Sequence, residues 1–157
     1  MSRVEGTISI EDAEIMFRNF SGAEGQYNAK GRRNFCVLLD PPLADALTND
    51  GWNVKVLKSR DEDEEERPYL QVAVSYDNIP PRIMMITKNG KTTMTEETVG
   101  MLDWAEIKSV DLIIRPYNWE VSGKTGVKAY VKTMYIVIEE DEFAEKYYSL
   151  PDEDDFV

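Results

Sequence analysis

Residues 111–121 read Asp-Leu-Ile-Ile-Arg-Pro-Tyr-Asn-Trp-Glu-Val, and residues 127–138 read Val-Lys-Ala-Tyr-Val-Lys-Thr-Met-Tyr-Ile-Val-Ile. Both stretches are rich in β-branched and aromatic residues, and they are joined at Gly123-Lys124-Thr125-Gly126. They predict the two longest strands of the chain, paired as a hairpin. Side chains alternate along a strand, so Ile113, Arg115, Tyr117 and Trp119 are expected on one face, and Lys128, Tyr130, Lys132 and Met134 on one face of the second strand. A two- or four-residue loop centred on Lys124 and Thr125 would set Trp119 opposite Tyr130 and Tyr117 opposite Lys132. A three- or five-residue loop would separate the two faces. Gly123 and Gly126 bracket the tip symmetrically and favour the even loop, which leaves Lys124 at the tip.

Outward from this hairpin the punctuation stays that of a β-rich domain. Residues 5–10, 13–17, 34–39, 52–57, 69–76 and 83–87 have strand character, and Asn89-Gly90 is a two-residue hairpin signal. Residues 42–50 predict a short helix, with Gly51 suited to follow its last turn. Thr93-x-x-Glu96 resembles a capping box before a brief helix reaching Leu102, and residues 141–148 predict another short helix. Without a βαβ rhythm, these elements predict a mainly β fold, an OB-like five-stranded or elaborated barrel with short helices. The expected organisation is one domain over 1–148, with an acidic insertion loop at 60–67, followed by a disordered acidic tail at 149–157.

The chain has 157 residues, 42% of them hydrophobic, enough for a packed core. Cys36 stands alone and histidine is absent, so no intramolecular disulfide and no Cys/His zinc site can form. The first residues lack the apolar centre of a signal peptide, and no apolar run approaches the roughly 20 residues of a membrane helix. A cytoplasmic protein is expected, with no membrane partner. The net charge of −12 is local: it falls entirely in 60–67 and 139–157, and the other residues carry 15 acids and 15 bases. A neutral body with clustered cations can still attract phosphate, because binding follows local potential.

Nucleophilic pairs that need histidine are excluded. Gly123-Lys124-Thr125 looks like the end of a phosphate-binding loop, but Asn118 stands where that motif needs glycine and both flanks are strand-like. Asp103, Glu106 and Asp111 form a compact carboxylate trio outside the acidic segments. They are read as solvating a turn and opening a strand rather than as a metal site. No cofactor, no metal and no enzymatic activity are expected.

Cations interleaved with aromatic rings carry the functional signal. Single-strand recognition needs cations that track phosphates and flat rings on which unpaired bases stack. Arg115, Tyr117, Trp119, Lys128, Tyr130 and Lys132 form the expected platform. Lys30-Gly31-Arg32-Arg33 leads into Phe35, and Lys88-Asn89-Gly90-Lys91 caps a hairpin; Arg32, Arg33, Phe35, Lys88, Lys91 and Lys124 are therefore added to the nucleic-acid-binding set. Asp152, Glu153, Asp154, Asp155 and Phe156 form a candidate partner-binding tail, able to compete for the basic groove and to dock on basic partners with Phe156 as its anchor.

Asn34-Phe35-Cys36-Val37, Gly51-Trp52-Asn53-Val54-Lys55, Tyr69-Leu70-Gln71-Val72, Leu102-Asp103-Trp104-Ala105-Glu106-Ile107 and Ile113-Ile114-Arg115-Pro116-Tyr117-Asn118-Trp119 resemble phage-encoded single-stranded DNA-binding proteins over roughly residues 15–148. The acidic tail resembles the tails by which such proteins recruit replication and recombination enzymes, although Val157 follows Phe156 where those tails commonly end on the aromatic residue. The resemblance implies an OB fold, cooperative and sequence-independent coating of single-stranded DNA during phage replication and recombination in the infected bacterium, and no catalysis. It implies partners such as a polymerase, helicase-primase or recombinase, and leaves a homo-oligomer open. Two other readings are an acidic DNA mimic that inhibits a host enzyme and a carboxylate-dependent nuclease. The mimic is disfavoured because the acids cluster in segments expected to be flexible, not on a rigid face.

Overall fold

The computed structural model describes residues 4–26, 28–57, 67–77 and 79–139. The acidic stretch before Arg67, the predicted helix at 141–148 and the tail lie outside these residues. The described chain contains nine strands: β1 (Ile8–Ile10), β2 (Ile15–Asn19), β3 (Arg33–Leu38), β4 (Lys55–Leu57), β5 (Arg67–Val74), β6 (Arg82–Thr87), β7 (Gly90–Met94), β8 (Ile107–Val121) and β9 (Lys124–Ile138). One α-helix, α1 (Pro41–Asp50), and one 3₁₀ turn over Val99–Asp103 complete it. The mainly β reading is correct, but the sheet does not close. Its main path runs β1-β8-β9-β5-β3-β2, with β4 on β5, β6 on β9 and β7 on β6.

The core follows from alternation. Phe35, Val37, Leu70, Val72, Ile114 and Ile136 are among the side chains of one continuous buried cluster. Phe20 packs its ring 5.3 Å from that of Phe35. Helix α1 adds Ala44 and Leu47. It ends as expected at left-handed Gly51 (φ 104°), where Gly51 N donates to Thr48 O and Trp52 N to Leu47 O. No helix among the described residues is long and apolar enough to cross a membrane.

Three local expectations are corrected. The β6–β7 turn is Lys88-Asn89, because Thr87 pairs with Gly90. The capping box does not form: Thr93 lies in β7, and Thr98 Oγ1 instead accepts from Thr95 N at 2.8 Å before the 3₁₀ turn. The long hairpin turns at Ser122-Gly123, since Val121 pairs with Lys124. Both turn residues have positive φ, 51° and 78°, as a type I′ turn requires.

The ribbon of β8 and β9 organises the rest. On β9, β5 pairs at Ala129 and Tyr130, and β6 pairs over 133–137. Beyond Ala129, toward the tip, the two strands pair with each other. The N-terminal segment joins this arm through Asn118, whose Oδ1 accepts from Val4 N and whose Nδ2 donates to Val4 O, both at 2.9 Å. That side chain reproduces the hydrogen-bond pattern of a missing strand pair.

Candidate nucleic-acid interface

The even loop was the right parity, with its centre two residues earlier than expected. The observed register sets Arg115 opposite Tyr130, Tyr117 opposite Lys128 and Trp119 opposite Gly126. Cations and rings therefore share a face, in a different pairing. The guanidinium of Arg115 lies 4.9 Å from the Tyr130 ring centroid, and Lys128 Nζ lies 5.2 Å from it. Tyr117 meets the same ring edge-on, with centroids 6.0 Å apart. Tyr130 is thus the hub of the cluster, clasped by two cations. Tyr117 and Trp119 are the more open rings, 53% and 36% exposed.

Gly126 explains why the turn is not where the glycines alone place it. A Cβ at this position would meet Trp119 Cζ2 at 2.5 Å, so the indole lies against the bare backbone of the facing strand. Gly126 serves a close approach and Gly123 serves the turn. Gly126→Ala is expected to displace the indole, shift Trp119 fluorescence toward the solvent-exposed range and weaken single-strand binding several-fold with the fold retained. Tryptophan emission and an oligo-dT titration on the same variant check this.

Beside the hub is a cleft of about 440 Å³, in the size range of ligand pockets. Arg32, Arg33, Asn34 and Asn28 line it from one side, Gln71 and Ala73 from β5 with Ser75 just beyond it, and Lys128 and Tyr130 from β9. Across the sheet, Asn34 pairs with Ala73, Ala73 with Tyr130, and Tyr130 with Arg115. Asp77 is the single acid of the lining, so local potential there is positive despite the net charge.

The loop that carries Arg32 is built around Asn28. Its Nδ2 lies within hydrogen-bond distance of Ala23 O (2.9 Å), Arg32 O (3.0 Å) and Ala29 O (3.1 Å), and its Oδ1 accepts from Asn34 Nδ2 at 2.8 Å. Gly31 N donates to Gly22 O at 2.8 Å and closes the loop. Asn28 was not singled out from sequence, because no local pattern distinguishes it from an ordinary turn asparagine. Asn28→Ala removes several bonds of about 0.5–1.5 kcal/mol each. It is expected to free the loop, speed amide exchange over residues 28–33 and weaken oligo-dT binding about tenfold; hydrogen exchange and titration check both parts.

Arg33 approaches Glu96 at 3.5 Å, and its Nε, like that of Arg115, is buried without a hydrogen-bond partner among the described residues. Burial pushes the neighbouring Tyr76 phenol up to about 12, with Arg33 opposing the shift. Tyr76 therefore stays a neutral hydroxyl, 3.4 Å from Met94 O. Burial also raises the Cys36 thiol, against the effect of Lys55.

Other expected site residues fall elsewhere. Phe35 is fully buried against Phe20, so its ring is not available to a base. Lys132 is the extra residue of a bulge between the pairs Ile114–Val131 and Ile113–Thr133. The bulge reverses the alternation, so Met134 is buried in the core and does not share the face of Lys128 and Tyr130. Lys88 and Lys91 sit on the β6–β7 hairpin, where Lys91 Nζ lies 5.9 Å from the Tyr135 ring centroid. Tyr135 is five residues along β9 from Tyr130, about 16 Å. Lys124 stands at the ribbon tip beside the turn, exposed.

The carboxylate trio does not assemble. Asp103 accepts from Phe20 N at 2.6 Å and Ser21 N at 3.1 Å, and Asp111 accepts from Asp12 N at 2.9 Å. These are structural bonds, and no group of potential metal ligands gathers among the described residues.

The described residues form an open, mainly β domain with a cation–aromatic ribbon beside a basic cleft. The chain matches, over residues 2–157, the family described as "Putative phage ssDNA-binding domain", and it belongs to that family. The family is one of DNA-binding domains, not of enzymes. Among curated proteins none matches. Solved structures of the single-stranded DNA-binding protein of bacteriophage Enc34 share the fold. The C-terminally truncated form aligns with a TM-score of 0.54 at 9% identity, covering 87% of each chain. The form in complex with ssDNA aligns with a TM-score of 0.52 at 10% identity, covering 88% of this chain and 90% of that one.

Proposed function

We propose that the chain coats single-stranded DNA without sequence preference during phage replication and recombination, in the cytoplasm of the infected bacterium. The observation that carries this reading is the Arg115–Tyr130–Lys128 hub, with Tyr117 at its edge, beside a cleft lined by Arg32 and Arg33. Bases stack on Tyr117 and Trp119, whose faces are the more open. Tyr130 holds the two cations in place and is a positioning residue more than a stacking one. Arg32, Arg33 and Lys128 hold phosphates in the cleft, Lys124 extends the path toward the tip, and Lys132, Lys88 and Lys91 supply a weaker outer field. Stacking tolerates every base, so the site selects for unpaired strands and not for a sequence.

The acidic segment Asp152, Glu153, Asp154, Asp155 and Phe156 competes with DNA for this basic face. Once displaced, it recruits a polymerase, helicase-primase or recombinase. What supports this is the separation of charge: the body is neutral with a positive cleft, while residues 139–157 hold nine acids and one base.

Labelled oligo-dT titrated at several salt concentrations tests both parts. For single strands, log K against log salt has a slope of about −0.7 per phosphate neutralised, so three to four contacts give about −2 to −3. Lys128→Gln is expected to make the slope shallower by about 0.7. Removal of residues 151–157 is expected to tighten binding at low salt. Binding that ignores salt would overturn the phosphate contacts, and unchanged affinity on truncation would overturn the competing tail.

A further inference from the structure

The two halves of the β8–β9 ribbon are held very differently. The half that starts near Trp104, at Ile107, is flanked on both sides. Strand β1 pairs there with Leu112, Ile113 and Ile114, and β6 pairs over 133–137. The half toward the tip carries Tyr117 and Trp119. Here β1 pairing ends at Ile114, and β5 pairs at Ala129 and Tyr130. Beyond these positions no third strand joins the arm among the described residues. A two-stranded ribbon is at best marginally stable by itself. The angle at which this arm leaves the sheet therefore needs another support.

The β1–β8 register supplies it. Ile8 stands opposite Ile114, which in step would bring Gly6 against position 116 and Val4 against position 118. Position 116 is Pro116, which has no N–H to give to a ladder, and Gly6 sits at φ 84°, so the pairing lapses there. One pair further on it resumes through a side chain. Asn118 Oδ1 accepts from Val4 N and Asn118 Nδ2 donates to Val4 O, both at 2.9 Å. A carboxamide suits this, because like a peptide unit it carries one acceptor and N–H donors in one plane. Val4 itself is anchored in the core, 5% exposed. Its Cγ2 fills the space left bare at Gly51, where an added Cβ would lie 3.2 Å away. A continuous clip thus runs from the end of α1 through Val4 to the middle of the arm. Alternation puts Asn118 on the opposite side of β8 from Tyr117 and Trp119, so it holds their strand without covering their rings.

We propose that Asn118 is a positioning residue of the DNA site: its clip on Val4 sets the arm at the angle that presents Tyr117 and Trp119 beside the cleft. The N-terminal segment then shapes the binding surface without touching DNA. This rests on the ribbon being the stacking platform, as proposed above. Without the clip the arm swings about its junction with β5, and binding must first order the two rings, which costs affinity for every single strand alike.

Three full-length variants test this: Asn118→Ala, Val4→Pro, which removes the N–H that Asn118 accepts from, and the two combined. Asn118→Ala is expected to weaken oligo-dT binding about tenfold, within the range for ordering two side chains on association. Its salt slope should stay unchanged, because no cation is lost. Amide exchange should quicken at Val4 and across 117–127, while β3 and β5 keep their protection. Val4→Pro is expected to weaken binding in the native background and to add nothing to Asn118→Ala, the non-additivity that a shared clip requires. Additive losses, no loss in Val4→Pro, or weaker binding by Asn118→Ala with arm exchange unchanged would overturn the positioning role. Lost protection across β3 and β5 in Asn118→Ala would overturn it too, in favour of a general structural role. If Val4→Pro does not fold, the exchange pattern and affinity of Asn118→Ala decide alone. Native affinity in Asn118→Ala overturns the clip when replacing both Tyr117 and Trp119 by alanine impairs binding. If that double variant also binds as the native chain does, the platform itself fails, and the clip's role in binding falls with it.

Discussion

Replacing Tyr117 and Trp119 together by alanine is expected to reduce oligo-dT affinity by two to four orders of magnitude, with the thermal transition little changed. Each ring lies on the outer face of the ribbon, and neither belongs to the buried core cluster. Alanine substitution at a stacking position costs about 1–3 kcal/mol per base, or about 5- to 150-fold per ring. Tyr130→Ala should differ in kind. Its loss releases Arg115 and Lys128 from a shared ring, so the salt dependence should change along with the affinity. Titrations of the three variants at two salt concentrations separate stacking from cation placement. If the double variant binds as the native chain does, the ribbon is not the platform.

Phe35 presents the opposite case. Phe35→Ala is expected to destabilise the fold by about 3–5 kcal/mol, the usual cost of emptying a buried aromatic site. The ring is fully buried in contact with Phe20, between strands that pair on both sides of β3. A loss of this size is a large part of the 5–15 kcal/mol that holds a typical domain. Phe35→Leu keeps most of the volume and should restore stability to within about 1.5 kcal/mol. That variant should bind oligo-dT normally, because the position contributes to the core and not to the interface. Urea unfolding of both variants, with a titration of the leucine variant, checks the assignment. A leucine variant that folds fully but binds DNA poorly would return Phe35 to the site.

These two residues also show which features the sequence carries. The outer face of β8 follows from alternation alone, so Arg115, Tyr117 and Trp119 were visible as a row. Alternation on β9 holds only as far as the bulge at Lys132, because a single extra residue reverses inward and outward positions without leaving a composition signal. Phe35 was misplaced for a related reason. It follows a basic glycine-containing loop, and its direction is set by pairing with Val72 on β5, 37 residues away. The turn was misread because glycine has two uses, positive φ and close approach, and Gly126 has the second through its contact with Trp119. The loop 28–33 was legible as basic. Its order around Asn28 was not, since it depends on four partners in three dimensions. The OB-like barrel was read from strand count, and among the described residues pairing leaves β1 and β2 as separate edges of an open sheet.

The most direct test of the central claim is amide chemical-shift mapping of the full chain on titration with a short oligo-dT. The account predicts the largest shifts at residues 32–34, 73, 115–119 and 126–130, where the cleft and the ribbon meet, with the Trp104 end unperturbed on an oligonucleotide of one site length. Large shifts confined to the Trp104 end or to the β6–β7 hairpin, with the ribbon unmoved, would contradict it.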